Sequence, residues 1–218
     1  MESVKIDDEL LIPAGRHTLP PKEVSQRQKE RLLRAMASCT SEQGYHDTTI
    51  ADVVRRARTS RSAFYEHFSD KEDCFLQTYE QMTRAYIKTS LAAAANVPEW
   101  QAKLDVGIST YFSWMAEHPE VAISTVVEIH SVGRRGLEAR RHALEQWMRT
   151  LEGVAILARR AGVEIPELDE IAYAAIILSA EAYVHEYASR GCVDQVEENV
   201  PRVQALARAL FEHGVASA

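Results

Sequence analysis

Thr49 to Lys71, TIADVVRRARTSRSAFYEHFSDK, reads as two short helices joined by a tight turn. Thr48 or Thr49 is placed to cap the first helix, whose buried stripe is Ile50, Val53, Val54 and Ala57. Arg58-Thr59 forms the turn. Ser60 then serves as the N-cap of a second helix running to about Phe68, with Ala63, Phe64 and Phe68 facing inward and Arg61, Ser62, Tyr65 and Glu66 nearer the outside. Asp70 caps once more, and a long helix follows from Lys71 to about Ala95 on a core stripe of Phe75, Tyr79, Met82 and Tyr86.

Upstream, Leu32, Ala35, Met36 and Cys39 lie on one face of a helix expected from Ser25 to Gly44, with Arg27, Lys29, Arg31 and Arg34 on its outer, basic face. Residues 1–23 carry Pro13, Gly15, Pro20 and Pro21 without a sustained period and read as a flexible arm, in which Arg16 and His17 are the groups able to reach a nucleic acid. Downstream, Pro or Gly punctuates helical segments at about Glu99 to Glu117, Pro119 to Val132, Gly136 to Ala161, Glu167 to Arg190 and Asn199 to His213. No alternating run of strand length occurs. The expected fold is therefore all-α, with a three-helix helix-turn-helix head at residues 24–70 and a larger helical body at 71–218.

The formal net charge of -7 argues at first against a polyanionic partner. It is unevenly distributed: Lys22 to Lys71 holds 10 Lys and Arg against 7 Asp and Glu, whereas Glu72 to Ala218 holds 13 against 21. A basic head on an acidic body is compatible with phosphate binding, because the local field matters more than the sum. Cys39, Cys74 and Cys192 are far apart and odd in number, which suits neither a disulfide framework nor a zinc site. With no signal peptide at MESVKIDDELLIPAG and no apolar run of membrane-spanning length, a cytoplasmic location is expected.

An α-helix fits the DNA major groove and brings only its first turns to base edges. Ser60, Arg61 and Ser62 supply short and forked donors there, and Tyr65, His67 and Lys71 stand where they can hold phosphates. The N–H groups of the helix start at Thr49 add an anion-binding end. TTIADVV, the turn, SRSAFYEHF and SDKEDCF together resemble the TetR family of transcriptional regulators, over about Gln28 to Tyr79. The resemblance implies that Thr49, Ser60, Arg61, Ser62, Ala63, Tyr65, His67 and Lys71 are DNA-contacting positions. The family commonly has Gly where this chain has Arg58, at a position that takes a left-handed backbone. Either the turn differs here or a strain of about 1–2 kcal/mol is tolerated.

The resemblance also implies a homodimer paired through the last two helices, a palindromic double-stranded DNA operator, and an effector pocket in the second domain whose occupant releases a repressor. Two stripes are compatible with such pairing, Ile171, Tyr173, Ile176, Ile177, Leu178 and Tyr183 in one helix and Val203, Leu206, Ala207, Leu210 and Phe211 in the next. Tyr86, Tyr111, Trp114, Met115, Trp147 and Tyr173 are the candidate pocket residues, being polar-tipped, aromatic or soft groups on apolar helices. Glu181 and His185 form an i, i+4 pair without a third ligand, so no metal or cofactor is expected. No nucleophile elbow, Gly-rich phosphate loop or ordered triad marks an enzyme. The alternative to a regulator is a helical small-molecule-binding protein or enzyme with a non-functional head.

Overall fold

The computed structural model describes residues 20–214, which form helices and connecting turns with no strand among them. Most of the arm, including Arg16 and His17, lies outside the described residues. The first helix, α1 (Pro21–Gln43), begins at Pro21 rather than Ser25, because the fixed φ and missing N–H of proline suit the first helical position. It ends at Gly44, whose φ of 83° is open to glycine and whose N–H donates to the Thr40 carbonyl. α2 (Ile50–Arg56) and α3 (Arg61–His67) follow, then the long α4 (Lys71–Ala94).

The stripes expected in this region are buried around one small core. Leu32, Met36, Val53, Phe64, Phe68 and Phe75 are all essentially inaccessible, and Ile129 from the body reaches into the same cluster. Arg31 departs from the expected basic outer face: it is buried, and its Nε has no partner among the described residues. The reason is that α1 is covered on several sides, by α2, α3 and α4 and by the region following α5, so it has less free face than a single stripe suggests. Burial lowers the pKa of the Arg31 guanidinium.

The body continues with α5 (Trp100–Glu117), α6 (Pro119–Ala122), α7 (Arg134–Arg160), α8 (Glu170–Ser189) and α9 (Val200–His213). The single helix expected over Pro119 to Val132 is broken into α6, a π-helical turn (Ile123–Val127) and a 3-10 turn (Glu128–Val132). Ile123, Thr125, Val126 and Val127 are β-branched and crowd a regular helix, and the Ser124 hydroxyl donates to the Ala37 carbonyl of α1 at 3.3 Å. α7 then starts beside this turn at a point where Gly136 has no substitute. A Cβ there would lie 2.4 Å from the Ile129 carbonyl oxygen and 2.9 Å from Val132 Cβ.

Head and body are tied at several points besides the continuous α4. The Glu128 carboxylate accepts from the Tyr45 N–H at 2.8 Å, and the Ser124 hydroxyl donates to the Ala37 carbonyl. Within the body, Trp100 stacks on Phe211 at 5.6 Å and Tyr173 meets the same ring edge-on at 6.2 Å. This accounts for the α9 stripe: Val203, Ala207 and Phe211 are fully buried inside the chain's own core. The outer side of α8 is different. Ile171 is 70% exposed and Leu178 39% exposed, and both share a helical face with Ala174, Ala175 and Ala182, which are not buried.

Candidate nucleic-acid interface and buried cavity

The helix pair is built by local capping. Thr49 rather than Thr48 is the cap of α2. Its hydroxyl accepts from the Asp52 N–H at 3.2 Å while Asp52 accepts from the Thr49 N–H at 3.1 Å, a reciprocal capping box. These Thr49 bonds hold the Asp52 carboxyl down at about 2. Thr48 instead donates to the Gly44 carbonyl at 2.7 Å and is buried.

Arg58 adopts φ 50°, the one positive φ among non-glycine residues in the described chain. Its N–H donates to the Arg55 carbonyl at 3.2 Å, and the Thr59 N–H reaches back to the Val54 carbonyl at 3.0 Å. This is a Schellman ending with arginine in the position glycine usually fills. Of the two possibilities open at the sequence level, the left-handed backbone is the one adopted. Arg58→Gly is therefore expected to raise stability by about 0.5–1 kcal/mol, the steric relief exceeding the added chain entropy of glycine. A urea midpoint at or below that of the parent would show that the arginine is not strained.

Ser60 caps α3, accepting from the Ala63 N–H at 3.1 Å, and its hydroxyl lies 2.9 Å from that of Ser62. Ala63 and Phe64 turn inward, which leaves Ser60, Arg61, Ser62 and Tyr65 exposed on one open side. The Arg61 guanidinium lies over the Tyr65 ring at 5.8 Å, with a long contact to its hydroxyl at 3.5 Å. His67, at the end of the helix, keeps Nε2 buried without a partner among the described residues. Burial depresses its pKa, which favours the neutral ring, and Nδ1 is its other polar atom. Lys71 donates to the Tyr45 carbonyl at 2.9 Å and the His46 carbonyl at 3.3 Å, and its ammonium stands 4.3 Å from the Tyr45 ring centroid. It thereby fastens the α1–α2 loop to the start of α4, a role not visible from residue type and spacing. Two of its three N–H donors are engaged.

The body holds a cavity between α4, α5, α7 and α8. Of the candidate pocket residues, Tyr111 and Trp147 line it. Tyr86 stacks on Trp147 at 5.3 Å and meets Tyr111 edge-on at 5.8 Å, so it backs this wall. Trp114, Met115 and Tyr173 are not among the lining residues. Trp114 packs against His118 at 4.7 Å, Met115 is fully buried in the core and Tyr173 lies against Phe211. The remaining wall comes mainly from aliphatic groups such as Leu104, Ile108, Leu151, Val154, Ile176 and Ile177, with Ser90, Lys103, Thr150 and Glu181 as polar exceptions. The periodic apolar positions were legible in sequence; which of them face a void was not. Glu181 is ion-paired with Arg140 of α7. Burial pushes its carboxyl above the ordinary value and Arg140 pulls it back. Among the described residues no group of three or more His, Cys, Asp or Glu is placed to hold a metal ion, and no helix is long and apolar enough to cross a membrane.

Residues 32–78 match the family model for bacterial regulatory proteins of the tetR family. The regulator HbdR of Aromatoleum sp. (strain CIB) is 35% identical over 66 residues, covering 30% of this chain and 28% of that protein, so this likeness is confined to a small part of its length. The fatty acid metabolism regulator protein of Bacillus subtilis (strain 168) is 22% identical over 137 residues, 63% of this chain and 70% of that protein. Among solved structures, the fatty acid degradation regulator FadR of Bacillus halodurans superimposes with a TM-score of 0.76 at 17% identity, covering 93% of this chain and 100% of that one. FadR from Bacillus subtilis in complex with stearoyl-CoA gives 0.74 at 19% identity, covering 85% and 98%. The head thus carries the sequence pattern of the tetR family of bacterial regulatory proteins over residues 32–78, and the all-helical fold is shared with these solved structures over most of the length.

Proposed function

We propose that the chain is a cytoplasmic, ligand-responsive repressor that binds a palindromic operator as a homodimer and is released when a small molecule enters the cavity of the body. The head comprises residues 24–70 and the effector and dimerisation domain begins at Lys71. The observation that carries the reading is the open side of α3. Ser60, Arg61, Ser62 and Tyr65 are exposed together there, on a helix whose other side is locked by Phe64. Ser60, Arg61 and Ser62 meet base edges, and Thr49, Tyr65, His67 and Lys71 complete the contact along the DNA backbone, while Ala63, which the resemblance also marks, is turned inward and allows the helix to pack.

Pairing uses the outer face of α8, where Ile171, Ala174, Ala175, Leu178 and Ala182 gain burial, joined by the exposed Ala205 and Ala209 of α9. A two-fold dimer of this kind sets two recognition helices about 34 Å apart, one turn of DNA. α4 begins at the head and ends on the cavity wall with Ser90, Leu91 and Ala94. A ligand that binds the two positions of α4 unequally therefore shifts the operator-binding equilibrium. The stearoyl-CoA of the B. subtilis neighbour supports an effector with a large apolar part.

Fluorescence anisotropy with duplex from the promoter flanking the chain's own gene, against random duplex, tests the reading. Arg61→Ala is expected to reduce the cognate preference by about 1–3 kcal/mol. Lys71→Ala is expected to weaken both duplexes alike and to lower the salt slope by about 1. No cognate preference in the parent protein would overturn the regulator reading. Equal losses on both duplexes for both variants would overturn the assigned roles.

A further inference from the structure

We propose that the ligand of the body cavity is an acyl compound, a hydrocarbon chain ending in a carbonyl oxygen, and that Ser90 is the residue that selects it. The proposal rests on the reading of the cavity as the effector site and deepens it.

Several hydroxyls inside the helices of this chain bond back to the preceding turn, and others find a side chain or a carbonyl of another segment. Thr78 donates to the Cys74 carbonyl at 2.8 Å, Thr89 to the Ala85 carbonyl at 3.0 Å and Thr150, itself on the cavity wall, to the Gln146 carbonyl at 3.0 Å. Ser90 departs from this pattern. It is only 3% exposed, its Oγ has no hydrogen-bond partner among the described residues, and it lines the cavity. A buried hydroxyl without a partner in an apolar wall is unfavourable until an oxygen or nitrogen stands opposite it.

The second polar point fixes which kind of atom that is. One helical turn beyond Ser90, the Ala94 carbonyl accepts from Lys103 Nζ at 2.9 Å, and Lys103 lines the same cavity. A hydroxyl and an ammonium thus line the same cavity, one from α4 and one bonded to the carbonyl a helical turn further on. Together they ask for an acceptor-rich head group. The one carboxylate on the wall, Glu181, is engaged by Arg140 and does not compete for Lys103. Leu91, 52% exposed, marks the open end of the cavity, and the apolar wall running inward to Trp147 receives the chain. The cavity volume of about 90 Å³ is small, with a mainly apolar wall that suits a hydrocarbon chain.

Octanoate, octanoyl-CoA and n-octylammonium share one chain and differ in head group, so titration calorimetry of the full-length protein with each tests the proposal. Either acyl compound is expected to bind more tightly than n-octylammonium. Ser90→Ala is expected to weaken acyl binding about tenfold, one hydrogen bond's worth, and to leave n-octylammonium within about twofold. Binding of octanoate alone identifies the free acid as the source, and binding of octanoyl-CoA alone the thioester; either supports the proposal. The proposal is overturned by Ser90→Ala binding the acyl compounds like the parent, by n-octylammonium binding as tightly as they do, or by neither acyl compound binding. The urea midpoint of Ser90→Ala, expected at or above that of the parent, controls for folding. The same ligands added to the operator complex separate the two readings: acyl binding without DNA release refutes the effector role and leaves the Ser90 assignment standing.

Discussion

Arg140→Met is expected to lower stability by about 2–3 kcal/mol at pH 7, seen as a drop of roughly 5–10 °C in the thermal midpoint. The Arg140 and Glu181 side chains are 26% and 23% exposed, so the loss falls below the 3–5 kcal/mol of a fully buried pair broken on one side. Its origin is the carboxylate left behind. Burial already raises the Glu181 pKa, and Arg140 opposes that shift; without the guanidinium it rises further. A group with a raised folded pKa contributes stability that is present below its unfolded value and is lost as pH rises through its folded value. The deficit of Arg140→Met should therefore shrink as pH is lowered from 7 towards the ordinary carboxylate range. Arg140→Met with Glu181→Gln should recover most of the loss at pH 7. A deficit independent of pH, and not relieved by the second change, would mean that the arginine contributes through its aliphatic stem alone.

Phe64→Ala is expected to remove about 3–5 kcal/mol from the head and to abolish operator binding at every salt concentration. Phe64 is fully buried, 5.3 Å from Phe68 and 5.4 Å from Tyr65 between ring centroids. It holds α3, a helix of 7 residues too short to persist without packing. The second hydrophobic cluster surrounds the body cavity and does not contain Phe64, so ligand binding should survive. Urea unfolding followed by far-UV circular dichroism should then show an early helical transition absent from the parent. Retained operator affinity would show that α3 is held by its caps and not by this ring.

Much of the fold could be read from particular residues. Thr49, Ser60 and Asp70 act as caps because a short oxygen ahead of an apolar period satisfies N–H groups that no helix can satisfy itself. Leu32, Met36, Val53, Phe64 and Phe75 are buried as their spacing implied, since a helix surrounded by neighbours has few other ways to hide a stripe. The break after Ala122 was missed because it depends on a partner: Ser124 reaches Ala37, far away in the chain. Arg31 was placed on the outside because the side-chain period shows which face is most apolar but not how many faces are covered.

For the candidate sites the division follows the same physics. The chain alone determined that a helix opening with Ser60, Arg61 and Ser62 exists, and that α8 is too apolar to stand uncovered, because both follow from local capping and period. Tertiary structure alone decided that Arg58 takes the left-handed turn and that Lys71 is bonded to the Tyr45 and His46 carbonyls. It also decided that the α9 stripe packs inside its own chain while the outer face of α8 remains open, and that Ser90 has no partner within a cavity shared by Tyr111 and Trp147. Each of these depends on which surfaces meet across distant helices, and a local period carries no record of that.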